Sequence, residues 1–185
     1  MENQLLIIEH LPQTRQQAVM LLKTSPIEYW NSINPRTLQD VFNAPSVGLS
    51  TIRKEMGEQK LQAMMVKWMN RFLSFYSTNG TMDAFQLADT INLIIEAYPH
   101  YTIYDFKLFF KKAKFGVFGE VFGRIDGQVI LSWLSKYDIA RDTAAQDASI
   151  KESEQYKELG KRSPSAGMFY SEYIKLKNKQ YDKNH

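Results

Sequence analysis

The residues of this chain best suited to chemistry are cations set at helical spacing. Lys107, Lys111 and Lys114 recur at steps of four and three, with Lys112 farther round the same helix and Arg124 beyond a glycine-rich stretch. Ammonium and guanidinium groups in that pattern neutralise backbone phosphates and give binding that weakens as salt rises. Phe115 and Phe118, close by, are rings on which exposed bases would stack if left uncovered. Lysine meets phosphate as a point charge, so the pattern predicts contact without base specificity. An ordinary solvated helix face is the competing reading and carries the greater prior weight.

The remaining reactive side chains form no catalytic arrangement. The chain has no cysteine, which removes disulfides, thiolate nucleophiles and cysteine-ligated zinc together. His10, His100 and His185 lie far apart and lack ligand spacing, and no serine or aspartate falls in a nucleophile motif. Asp83, Asp89, Asp105, Glu120 and Asp126 read as helix-start or surface carboxylates. Gly116, Gly119, Gly123 and Gly127 follow the pattern Gly-x-x-Gly-x-x-x-Gly-x-x-x-Gly, which is neither a dinucleotide fingerprint nor a phosphate loop. They read as turns and close backbone approaches. The expectation is a non-enzymatic protein that needs no cofactor and no metal.

Helices must position the cations. Prolines at 12, 26, 35 and 45 divide the first 45 residues into short helices, with Ser25-Pro26 and Asn34-Pro35 read as helix openings. After Gly57, the residues Leu61, Met64, Met65, Trp68, Met69, Phe72, Leu73 and Tyr76 form a helical stripe. Core packing is its first reading, and an adaptable methionine-rich binding face its second. Ser77-Thr78-Asn79-Gly80 reads as its stop. A helix over about 82 to 98 is expected to bury Phe85, Ala88, Ile91, Ile94 and Ile95, and Pro99 ends it. Thr102 and Asp105 have capping-box spacing for the lysine helix, whose opposite side gathers Ile103, Phe106, Phe109, Phe110 and Ala113. Asp126 is the expected N-cap of a last core helix through Val129, Ile130, Trp133, Leu134 and Tyr137.

These elements predict an all-α fold: a compact multi-helix domain over residues 1–141 and a mobile, charged helical extension over 142–185. A linker is expected near 161–167, then a basic tail with Lys175, Lys177, Lys179 and Lys183 among Tyr170, Tyr173 and Tyr181. A hydrophobic content of 44% and aromatic content of 13% supply a core, and the net charge of +3 permits an acidic partner without requiring one. Met1-Glu2-Asn3-Gln4 precedes an apolar run of only Leu5 to Ile8, which excludes a signal peptide, and no run is long enough for a membrane span. A cytoplasmic protein with no membrane partner is expected.

The ensemble of Ile52-Arg53-Lys54-Glu55-Met56-Gly57, Trp68, Glu96-Ala97-Tyr98-Pro99, Thr102-x-x-Asp105, Lys114-Phe115-Gly116-x-Phe118-Gly119 and Ile130-Leu131-x-Trp133-Leu134-x-x-Tyr137 resembles a family of small helical proteins. That family, which is uncharacterised, occurs in Bacteroidales, their phages and mobile elements, and the resemblance covers about residues 47–141. It implies no catalytic residue, and by association it implies a role in DNA transactions. The expected function is therefore an accessory protein in phage or mobile-element DNA replication, with DNA or a replication protein as partner. The alternative is a protein-interaction adaptor or virion-associated component that uses the methionine stripe or the tail.

Overall fold

Caps written into the sequence delimit most of the helices. The computed structural model describes residues 11–76, 82–121 and 123–162, with side chains described as far as 157. Eight helices occur among them: α1 (Arg15–Thr24), α2 (Pro26–Ser32), α3 (Leu38–Asn43), α4 (Leu49–Met56), α5 (Glu58–Leu73), α6 (Ala84–Ala97), α7 (Ile103–Lys114) and α8 (Gly127–Arg162). Thr14, Thr37, Asp83 and Thr102 each head a reciprocal capping box, which satisfies N–H groups that the first helical turn leaves open. Asp126 accepts from the Val129 N–H at 3.1 Å and so opens α8. The fold is all-α, with no strand among the described residues.

Two expectations are corrected here. Asn34-Pro35 does not open α3; the Thr37–Asp40 capping box starts it three residues later, at Leu38. Phe85 is 84% exposed rather than buried. The buried stripe of α6 is Leu87, Thr90, Ile91, Ile94 and Ile95, and Phe85, two residues before Leu87, points about 200° away from it.

The chain divides into one unit over Met1–Ala144 and another over Ala145–His185. In the first unit α4 packs on α1 and α5, α5 on α6, α1 on α2, and α3 on α7. The α5 stripe faces the core: Leu61, Met65, Trp68, Met69, Phe72 and Leu73 are buried, and Met64 packs half-buried against them. That packing leaves no continuous methionine surface on α5 for an adaptor. In the second unit the described side chains are exposed or half-buried. The linker beyond Arg162 and the basic tail lie outside the described residues, as does the Ser77–Gly80 stop. No helix among the described residues is long and apolar enough to cross a membrane.

Gly116 and Gly127 show two different geometric needs for glycine. Gly116 (φ 74°) ends α7 in a Schellman motif, with Gly116 N–H donating to the Ala113 carbonyl and Val117 N–H to that of Lys112. Gly127, at the start of α8, lies so close to Thr90 of α6 that any Cβ there would overlap the Thr90 hydroxyl.

Candidate nucleic-acid interface

Helix α7 is not the two-faced helix that its spacing predicts. Eight of its twelve residues are buried: Ile103, Tyr104, Asp105, Phe106, Leu108, Phe109, Phe110 and Ala113. The core wraps most of the helix and leaves one strip, occupied by Lys107, Lys111 and Lys114. The side predicted to be apolar is buried and the lysines are not, yet rings from α2 and from α5 and its end reach the lysine strip. Lys107 Nζ sits 4.8 Å from the Trp30 ring centre, and Lys114 Nζ lies 4.8 Å from that of Phe75 and 6.0 Å from that of Phe72.

The lysine strip forms one wall of a cleft of about 310 Å³. Helix α2 and the residues after it contribute Trp30 and Asn34, α5 contributes Trp68, Arg71 and Phe72, and α7 adds Phe110 beside its lysines. Two stacked ring pairs form the floor. Trp30 and Trp68 lie 4.4 Å apart at 14°, and Phe72 and Phe110 lie 4.4 Å apart at 12°. Offset aromatic stacking of this kind stabilises by about 0.5–1.5 kcal/mol beyond area burial.

The cations above it are anchored by neutral acceptors. Lys107 Nζ donates to the Trp30 carbonyl at 2.7 Å, Lys111 Nζ to Asn34 Oδ1 at 3.3 Å, and Arg71 to Asn31 Oδ1 at 3.0 Å. Among the described residues no carboxylate lies within ion-pair distance of any of the four. Three of the four cations thus make hydrogen bonds, and no carboxylate among the described residues compensates the four charges around the hollow. Both burial and neighbouring charge bear on Lys107. Burial, reinforced by Arg71 and Lys114, pushes its ammonium from 10.5 down to about 8. Lys114 is also pushed down, first by burial and then by Arg71.

Of the five cations read from sequence, Lys107, Lys111 and Lys114 line the cleft and the other two do not. Lys112 is half-buried and turned away from it, and Arg124 is held in an exposed pair with Asp126 at 3.0 Å. Phe118 is 5% exposed, packed on Phe109, and so is no base platform, whereas Phe115 is 79% exposed. Arg71 and the aromatic floor escaped sequence reading. A hint lay in Arg71 itself, a cation three residues past Trp68, on the edge of an otherwise apolar stripe.

A second polar cluster is structural. Asp105, read from sequence as a helix-start residue, does cap α7 and is also fully buried. Its carboxylate accepts from Thr102 N–H and Oγ1–H, from Tyr137 at 3.1 Å and from Arg141 Nε at 2.8 Å. One cation balances one anion, and each of these donors is aimed at the carboxylate. Burial and the adjacent carboxylate raise the Tyr137 hydroxyl far above its ordinary range. A wider hollow of about 430 Å³ near Pro12 and Pro45 holds one charged group, Asp40, which is already engaged in capping. No cluster of three or more metal-ligating side chains occurs among the described residues. No family model matches the chain, nor does any curated protein or solved structure, so a functional reading rests on the geometry of the cleft.

Proposed function

We propose that this chain is a non-enzymatic nucleic-acid-binding accessory protein that holds backbone phosphate in the cleft between α2, α5 and α7. One observation carries the reading: Arg71, Lys107, Lys111 and Lys114 converge with no carboxylate partner among the described residues. Like charges held together oppose folding, and a polyanion entering the cleft offsets that opposition and releases counterions. The motif resemblance to phage and mobile-element proteins of Bacteroidales favours DNA transactions as the setting.

The test is titration of labelled DNA at several salt concentrations with Lys111→Glu/Lys114→Glu and, as the control, Lys112→Glu/Arg124→Glu. Lys107 is left intact because a glutamate there would face the Trp30 carbonyl. The cleft variant is expected to lose most binding. Its logarithmic salt slope should flatten by about 0.7 for each single-strand phosphate that it no longer neutralises. The control should bind nearly as the parent does. Absence of binding by the parent at low salt overturns the proposal, and equal weakening in both variants overturns the choice of surface.

A further inference from the structure

The rings in the cleft floor are too well covered to serve as base platforms; Trp30 and Trp68, for instance, are 5% and 4% exposed. The rim differs. Phe75, just past the end of α5, is 55% exposed, and its ring carries the Lys114 ammonium at 4.8 Å. Among the described residues its one ring partner is Tyr76, edge-on at 5.0 Å and 90°. Phe115, adjacent to Lys114 in the chain and just before the Schellman turn at Gly116, is 79% exposed. One cleft cation therefore lies against the exposed ring of Phe75 and is followed in the chain by a second exposed phenyl, Phe115.

From this juxtaposition, and resting on the nucleic-acid reading above, we propose that the cleft selects single-stranded over double-stranded nucleic acid, with Phe75 as the platform for an unpaired base. A single strand can turn a base face onto a ring while its phosphate stays near Lys114. In a duplex the base faces are covered by their neighbours, and only phosphates and groove edges are offered. Lys114 links the two functions because it lines the phosphate cleft and lies against the ring that takes the base. The aliphatic stem and ring supply contact without hydrogen-bond readout, so base identity matters little.

The experiment is anisotropy titration of an oligothymidylate of about 20 nucleotides and a mixed-sequence duplex of equal length, in low salt. The parent, Phe75→Ala and Phe75→Trp are compared. The parent is expected to prefer the single strand. Phe75→Ala should weaken single-strand binding about tenfold, the alanine cost of one stacked base, and leave both duplex affinity and salt slope unchanged. Phe75→Trp should restore or strengthen single-strand binding. Equal affinity for the two forms, or a Phe75→Ala variant that binds as the parent does, overturns the inference while leaving phosphate binding in the cleft intact. Failure of the parent to bind either form overturns both readings. Unchanged melting of the two variants confirms that the readout is contact rather than folding.

Discussion

Lys107 offers a quantitative test of what it costs to hold a charged ammonium in the cleft wall. Its ammonium is pushed from 10.5 down to about 8, with burial first among the causes. At about 1.4 kcal/mol for each tenfold in proton affinity, holding it charged costs about 3 kcal/mol of folding free energy at neutral pH. The sign follows from proton counting. Between about 8 and 10.5 the unfolded chain binds the proton that the folded chain has released, so stability rises with pH across that window. About 2 kcal/mol of the rise should appear between about pH 7 and about pH 9.5. The upper limit matters because Tyr29, Tyr101 and Tyr137, all raised by burial, hold their protons when folded and reverse the trend once unfolded tyrosine ionises near pH 10. The perturbation is Lys107→Met, which keeps the stem over Trp30 and removes the charge. The assay is urea unfolding followed by tryptophan fluorescence, in buffer free of phosphate and at fixed ionic strength. All three tryptophans, at 30, 68 and 133, belong to the first unit, so the signal reports that unit. The parent should gain about 2 kcal/mol more than the variant over the interval, and added phosphate should shrink the difference by holding Lys107 protonated. Parallel pH dependences of parent and variant would refute the reasoning.

Arg141→Met strips the cation from the buried Asp105 carboxylate, and urea unfolding should show destabilisation by about 3–5 kcal/mol; adding Asp105→Asn should recover part of it. A cost under about 1 kcal/mol would mean that the pair behaves as a solvated one. Gly127→Ala drives a methyl into the Thr90 hydroxyl, and thermal melting should show a destabilisation of about 1–3 kcal/mol. Pairing it with Thr90→Ala should return most of that, and an unaltered melt of the single variant would show that α6 and α8 give way freely.

How much of this was legible in the chain differs between local and distant relations. The Thr102/Asp105 box, the Asp126 cap and the α5 stripe are patterns completed within a few residues, and each appears where its spacing predicts. Phe85 failed because a stripe was drawn through an apolar residue that sits on the far side of the first turn. The lysine helix shows where local reading stops. A helical wheel states which residues share a face but not what packs on that face. Trp30 lies 77 residues before Lys107, and its arrival turned an open basic surface into a cleft wall. Asp105 likewise satisfied a local rule, which concealed its partnership with Arg141, 36 residues away. The three lysines of the site were thus readable from spacing, whereas Arg71 and the concavity that brings the four cations together were not.

The stacked indoles of Trp30 and Trp68, 4.4 Å apart beneath the cleft, also make the protein its own spectroscope. Two chromophores that close share their electronic excitation, which splits their far-ultraviolet bands into a circular-dichroism couplet of opposite signs. The couplet depends on their mutual angle and so responds to small rotations of α2 against α5. Trp133, the third indole, stands outside that pair. Any rotation of α2 against α5 can therefore be followed optically in the unlabelled protein, through a signal that originates at the floor of the cleft.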